Sequence, residues 1–327
     1  MSSSDEALLS PAIVEALRAA FGDAPVGPPR ALGGGRSGAA VLAFDVAGAP
    51  YVLRRANPDR IDHASRTARE IACVRIASAL GVAPRVVHVD EHAGIVIAER
   101  AESAPFGRSA WSRPDRIAHV ASALRRLHEG PAFPSGPGLM TLLHGLEQLL
   151  RARTGRGLAE DLVAALTEAS HATRRWAESA PCHGDLNPGN ILELPDRACF
   201  VDWENACTSD PFLDLGQLGV FAFPALDARD ALLAAYLRRP PSAEELARAT
   251  VGRVMALGVY SAAFTMLDGS RESAADPLPM GELLALLASQ RQHAPPGVIA
   301  VSLLEELRRE RSGPGAAAYG AALALLA

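Results

Sequence analysis

The stretch Pro181-Cys-His183-Gly-Asp185-Leu-Asn187-Pro-Gly-Asn190 is followed, twelve residues beyond its last Asn, by Asp202 within Phe200-Val-Asp202-Trp203-Glu204. No other feature of the 327-residue chain constrains its fold as strongly, because the two segments make chemical sense only if the fold brings them together. Transfer of a phosphoryl group from a nucleotide needs a carboxylate to accept or orient a hydroxyl, and oxygen ligands for Mg²⁺, since catalysis there is mostly positioning and charge neutralisation. Asp185, Asn190 and Asp202 suit those three tasks: a loop carboxylate, a neutral amide oxygen, and a carboxylate that follows a short strand and meets a hard cation. Two simpler readings compete. Asn-Pro-Gly is ordinary turn chemistry, so the segment could be a polar turn. A zinc site from Cys182, His183 and Asp185 is disfavoured, because adjacent ligands do not easily converge on one tetrahedral ion. Ser-His-Asp hydrolysis lacks its Gly-x-Ser-x-Gly elbow.

Around this segment the periodicity changes along the chain. Ser10-Pro11 opens a helix over residues 10–22 with Ile13, Leu17 and Phe21 on one stripe. A glycine-loaded run over 31–40 leads into strands at Val41 to Val46 and Tyr51 to Arg54. A helix from His63 to Leu80 stops at Gly81, and Arg85 to Asp90 and Gly94 to Glu99 read as two more strands. Beyond Ala101 the pattern becomes helical, with windows at Ile117 to Leu127, Leu139 to Ala152, Leu158 to Ala177, Phe212 to Val220, Ala228 to Leu237, Ala243 to Leu267, Met280 to Ser289 and Val298 to Arg309. Ser242 and Glu245 form a capping box, and short strands at Ile191 to Glu193 and Ala198 to Asp202 interrupt the helices. These patterns give an α+β chain with a strand-rich lobe over 1–100 and a larger, mainly helical lobe over 101–327.

His183-Gly-Asp185-x-x-x-x-Asn190 with Val201-Asp202-Trp203-Glu204 resembles the aminoglycoside phosphotransferase and choline kinase superfamily, small-molecule relatives of the protein kinases. The likeness runs from the glycine loop near residue 33 through Leu124-Arg-Arg-Leu127-His128 to Asp210-Pro-Phe-Leu-Asp214-Leu-Gly216. It implies a two-lobed protein-kinase-like fold with an antiparallel sheet in the small lobe and a cleft that takes ATP and Mg²⁺. By matching position, it implies Asp185 as catalytic base, Asn190 and Asp202 as metal ligands, Asp214 as a buried brace and His183 as structural support. Gly33-Gly34-Gly35-Arg36-Ser37-Gly38 satisfies GxGxxG, yet Pro28-Pro29 precedes it and a strand follows, which suits a loop over nucleotide phosphates rather than a dinucleotide fold. Gly34, Gly35, Ser37 and Gly38 are the phosphate-covering candidates.

The departure from the family lies at Tyr51-Val52-Leu53-Arg54. All 32 basic residues are Arg, so the family's phosphate-contacting Lys is replaced, with Arg54 in its place and Glu70 as its partner. Arg55 falls on the opposite face of the strand. The lack of lysine also excludes a Walker phosphate loop and a pyridoxal enzyme. Ile95 to Arg100, with Glu99, resembles the hinge whose backbone would hydrogen-bond the adenine. For the acceptor, a small-molecule hydroxyl compound, Trp203 and Glu204 either face a cationic amino alcohol or serve as core packing and loop brace. Leu80-Gly-Val-Ala-Pro84 and the Asp202 and Asp214 motifs look more like choline or ethanolamine kinases. An aminoglycoside pocket would draw on carboxylates such as Glu204, Asp210, Asp268 and Glu272. A nucleotide-binding module without transfer activity is the reading from another class.

A formal charge of −5 argues against a nucleic-acid face, and a membrane surface is no better a partner. Without a run of about 18 apolar residues or a signal-peptide start, the chain reads as soluble and cytoplasmic. Cys73, Cys182, Cys199 and Cys207 form no CxxC pair and read as reduced thiols.

Overall fold

The computed structural model describes residues 10–32, 38–57, 63–101, 114–137, 139–174, 180–269, 275–288 and 294–326. Helix α1 (Pro11–Phe21) starts on a proline whose missing N–H costs a first turn nothing. The Ser10 hydroxyl does not cap it and instead accepts from Arg55 Nη1 at 3.1 Å. Strands β1 (Arg30–Ala31), β2 (Ala40–Val46), β3 (Ala49–Arg55), β4 (Val86–Asp90) and β5 (Ile95–Glu99) form one antiparallel sheet in the order β1-β2-β3-β5-β4. The β2–β3 turn is only Ala47-Gly48, both at positive φ, so the strands run on through the Ala49-Pro50 pair that the sequence assigned to the turn. Ile13, Ala16 and Leu17 of α1 pack on Leu42, Phe44, Val46, Leu53, Ile95 and Ile97. Each large aliphatic side chain buried there contributes about 1.5–3 kcal/mol.

Helix α2 (His63–Ala79) ends before Gly81, whose φ of +70° turns the chain toward β4. Its Cys73 and Ala77 join a core with Leu124, Leu127, Phe200 and Trp203, which ties this helix to the helical part of the molecule. That part contains α3 (Pro114–His128), α4 (Leu139–Thr154) and α5 (Glu160–Thr173). Two small antiparallel pairs follow: β6 (Ala180–Cys182) with β9 (Cys207–Ser209), and β7 (Ile191–Glu193) with β8 (Ala198–Phe200). Then come α6 (Pro211–Phe221), α7 (Leu226–Leu237), α8 (Ala243–Asp268), α9 (Met280–Ala288), α10 (Pro296–Ser312) and α11 (Ala316–Leu326).

The central helix is α8, opened by the Ser242–Glu245 capping box and closed by Gly269 at φ +58°. It is the one described helix long and apolar enough to cross a membrane, and 61% of its apolar window is buried in the protein's own core. At its crossing with α6 the backbones touch. A Cβ on Gly216 would lie 2.2 Å from the Gly252 carbonyl oxygen, and one on Gly252 would lie 2.4 Å from that of Phe212. Cys73, Cys182 and Cys199 are buried free thiols and Cys207 is half-buried, with burial pushing the Cys73 thiol up to about 12.

Two expected boundaries need adjustment, and four elements were not expected. Strand β8 stops at Phe200, two residues short, because Asp202 adopts φ +66° and cannot continue a strand. Helix α5 starts at Glu160, two residues later than expected, and residues 175–177 of the expected window lie outside the described residues. Strands β1, β6 and β9, which are too short to show alternation, and α11, whose Ala-rich sequence is apolar all round, gave no periodic signal.

Candidate active site

The loop after β6 is held open by α6. Its backbone cannot pair within a sheet, so its polar groups need side-chain partners. Asp214, fully buried in the first turn of α6, accepts from the His183 N–H through Oδ2 at 2.8 Å and from the Gly184 N–H through Oδ1 at 2.9 Å. One turn further on, Gln217 accepts from the Leu186 N–H at 3.0 Å and donates to the Gly184 carbonyl at 2.8 Å. Asp214 Oδ2 also meets His128 Nε2 at 3.1 Å, and the other nitrogen of that ring lies 2.9 Å from the Tyr236 hydroxyl. Burial alone would raise the Asp214 carboxyl, but the His128 hydrogen bond and charge and the Gly184 N–H outweigh it and hold the group below its ordinary range. Gly184 has φ +78°, and a Cβ there would lie 2.5 Å from the Asn205 carbonyl oxygen, so only glycine fits between His183 and Asp185.

His183 is wholly buried. Its Nε2 faces the Val201 carbonyl at 3.0 Å and its Nδ1 accepts from the Asp185 N–H at 3.3 Å, which fixes a neutral tautomer with the proton on Nε2. The ring therefore links the Asp185 and Asp202 segments. Asp185 is half-buried, and its Oδ1 accepts from Asn187 Nδ2 at 3.1 Å and from the Tyr260 hydroxyl at 3.0 Å. Burial raises its pKa above the ordinary carboxylate value, while the Asn187 and Tyr260 hydrogen bonds pull the other way. A carboxylate moved toward neutrality in this way is a stronger proton acceptor than a solvated one.

Asn190 and Asp202 are brought together by the β7–β8 hairpin. Ile191 pairs with Phe200 and Glu193 with Ala198, and the ladder continues as the Val201 N–H donates to the Asn190 carbonyl at 3.0 Å. The twelve-residue spacing is the length of this hairpin. Asn190 Nδ2 donates to the Asp185 carbonyl at 2.9 Å and to Asp185 Oδ2 at 3.3 Å, which anchors the amide by its nitrogen, so its oxygen is the atom that could take a cation. Asp202 keeps a part-exposed carboxylate in a left-handed conformation that a non-glycine residue adopts at a cost of about 1–3 kcal/mol. Two hard oxygen donors on adjacent backbone positions fit Mg²⁺.

Arg54 reaches from β3 toward Asp202. Its Nη1 pairs with Glu70 Oε1, and its Nη2 lies 3.1 Å from Asp202 Oδ1 and 3.3 Å from Glu204 Oε2. Burial works against its charge, but the three carboxylates hold the guanidinium pKa above its usual value. Glu70 is the most enclosed of them, and its desolvation, with Asp202 and Glu204 nearby, raises it despite Arg54. Glu204 thus faces Arg54. Trp203 is 3% exposed, its ring 4.6 Å from that of His183 and edge-on to Phe133, with its indole N–H on the Phe200 carbonyl at 3.3 Å. Of the two readings offered for these residues, core packing and bracing describe their positions, and the aromatic face for a cationic acceptor is corrected.

Glu99, expected at the nucleotide through the backbone of the hinge, closes β5. Its N–H donates to the Arg85 carbonyl at 2.9 Å and its carboxylate holds Arg85 Nε at 2.9 Å, so its side chain is turned to the edge strand. Gly38 has φ +74°, and a Cβ there would meet Asn57 Nδ2 at 2.7 Å, which fits a tight entry from the glycine loop to β2. Gly34, Gly35 and Ser37 lie outside the described residues, as does Glu272. Sequence reasoning missed Gln217, His128 as the Asp214 partner, and Tyr260. Tyr260 sits 75 residues from Asp185 inside an apolar helix, where the only signal is one hydroxyl on a core face.

A family model described as the phosphotransferase enzyme family matches residues 29–247. Protein LicA of Haemophilus influenzae is 41% identical over 56 residues, 17% of this chain and 21% of LicA, so the match spans about a fifth of that relative's length. A choline/ethanolamine kinase family protein from Mesorhizobium loti has a similar structure, with TM-score 0.70, 22% identity and coverage of 99% of this chain and 98% of that one. Choline kinase LicA from Streptococcus pneumoniae superposes with TM-score 0.66 at 16% identity, over 90% of this chain and 97% of its own. With two thirds of its length matched by that family model, the chain belongs to the phosphotransferase enzyme family.

Proposed function

We propose that the protein is a small-molecule kinase that transfers the γ-phosphate of ATP to a hydroxyl, with Mg²⁺ held by Asn190 and Asp202. The observation that carries this reading is the convergence of the Asp185 carboxylate, the Asn190 amide and the Asp202 carboxylate, with Arg54 3.1 Å from Asp202. Bound Mg²⁺ would neutralise charge on the phosphate oxygens. Arg54 would release Asp202 and turn its fork to the triphosphate, with Glu70 fixing the strand-to-helix distance. The glycine run ending at Gly38 would cover the phosphates. Asp185 would orient the acceptor hydroxyl for in-line attack and take its proton, which leaves the acceptor oxygen bonded to phosphorus and ADP as leaving group. The lobe boundary near residue 100 would form the nucleotide hinge.

For the acceptor, the likeness to choline and ethanolamine kinases supports a cationic amino alcohol in the cytoplasm, and an aminoglycoside or other antibiotic is the alternative. Trp203 and Glu204 are occupied elsewhere, so recognition of the cation would fall to other residues of the helical lobe. The test is phosphorus NMR of Mg-ATP with choline, ethanolamine, aminoglycosides, macrolides, sugars and thiamine, run beside Asp185→Ala. A phosphoester formed by the unaltered protein and absent in the variant supports the reading. Nucleotide binding with no phosphoester from any acceptor would instead favour a regulatory module, a reading motivated by arginine at position 54.

A further inference from the structure

We propose that Tyr260 is a positioning residue that commits Asp185 to meet the acceptor hydroxyl through Oδ2. The inference rests on the phosphotransfer reading and names a determinant that the motif does not contain. Asp185 Oδ1 accepts from Asn187 Nδ2 at 3.1 Å and from the Tyr260 hydroxyl at 3.0 Å, whereas among the described residues Oδ2 accepts only the longer contact from Asn190 Nδ2, at 3.3 Å. A carboxylate oxygen has room for about two donors. Oδ1 is therefore saturated, and an incoming hydroxyl is received by Oδ2, the oxygen beside the Asn190 amide.

The two donors to Oδ1 differ in what holds them. Asn187 belongs to the same turn as Asp185, with its Oδ1 closing an Asx turn onto the Gly189 N–H at 2.9 Å, so it moves when the loop moves. Tyr260 comes from α8, the buried central helix, and its ring is 4.9 Å from Phe221 of α6 in an edge contact. The helices that carry Tyr260 and Asp214 are pressed together at Gly216 and Gly252. Tyr260 thus ties the carboxylate to the same rigid pair that holds the loop backbone through Asp214 and Gln217. Its phenol is held well above the ordinary value by burial and by the Asp185 charge, so it stays a donor and does not compete as a base.

The test is Tyr260→Phe, which removes one oxygen and keeps the ring on Phe221, with Tyr319→Phe as control. Tyr319 is also buried and its hydroxyl lies 3.3 Å from Glu168 Oε2 in another part of the core. With choline as acceptor, and ethanolamine in parallel, Y260F is expected to lower kcat by roughly tenfold or more, since small misplacements of a reacting group are costly. KM for Mg-ATP and the melting temperature stay unchanged, and more ADP forms per phosphoester as water competes for a loosened base. Y319F keeps its kcat. A kcat for Y260F within twofold of the unaltered protein, or a parallel decline of kcat, KM and melting temperature, overturns the proposal.

A readout that needs no acceptor separates this outcome from failure of the phosphotransfer reading. Subtracting Y260F from the unaltered protein isolates the Raman doublet of the Tyr260 phenol. It should report a strong donor that weakens in Asp185→Ala, and a doublet indifferent to that substitution overturns the positioning role. Absence of transfer by the unaltered protein, with the doublet responding as expected, counts against the phosphotransfer reading instead.

Discussion

Replacing Asp214 by Asn removes a charge and nothing else of size, which makes it the cleanest probe of how the catalytic loop is held. Asp214 is fully buried and accepts from two backbone N–H groups, His183 and Gly184, and pairs with His128. An amide has one acceptor oxygen, so in either orientation its NH2 group faces at least one of those backbone donors. The orphaned N–H costs about 2 kcal/mol and the two remaining bonds each lose about 1 kcal/mol of charge assistance, giving about 4 kcal/mol. Removing a buried charge recovers some desolvation. However, the Asp214 pKa lies below its ordinary value, so the ionised form is favoured more in the fold than in water and the net sign remains destabilising. Urea unfolding at pH 7 should show a midpoint lower by about 1 M or more for an m-value of about 3 kcal/mol/M. The Asp214 contribution is fully present above the unfolded carboxyl value near 3.8 and is lost as pH falls through the lower folded value, so the gap between the two proteins should narrow on acidification. A loss under about 1 kcal/mol, or a gap that persists unchanged in acid, would refute the reasoning.

The remaining predictions probe other parts of the design. Gly216→Ala or Gly252→Ala should destabilise the protein by about 3 kcal/mol or more, read from thermal unfolding, because the new methyl meets helix backbone rather than a movable side chain. Arg54→Ala should raise KM for Mg-ATP at least about tenfold in a coupled assay, with Glu70, Asp202 and Glu204 losing their shared cation. Glu245→Gln should flatten the acid limb of stability. Arg239 and the capping box lower the Glu245 carboxyl to about 2 from 4.5, so its contribution is present above about 4.5 and lost as pH falls toward 2, which unfolding curves across that window would reveal.

The catalytic segment was legible in the sequence because its chemistry is local. Asp185, Asn187 and Asn190 share one turn, and the count of residues to Asp202 is the length of a single hairpin. Arg54 and Glu70 were legible as a pair through the resemblance to the family, with strand alternation setting Arg55 aside, and the structure joins them. Trp203 and Glu204 were ambiguous, since an aromatic and an acid beside a metal ligand look the same in sequence whether they face a substrate or a core. Packing against His183 and the pull of Arg54 decided both.

Tyr260 and Gln217 were invisible for a different reason. Each is an ordinary residue in a helical window, and its meaning depends on which helix face meets a loop dozens of residues away. The sequence by itself determined the mixed architecture and the identity of the chemical groups, which follow from periodicity and from side-chain chemistry, whereas the demand for glycine at 184 comes from the φ of +78° and the Asn205 carbonyl that the fold brings against it. Only the tertiary structure decided how Asp185 is aimed, because that depends on a hydroxyl delivered by α8 across a helix crossing where two backbones touch.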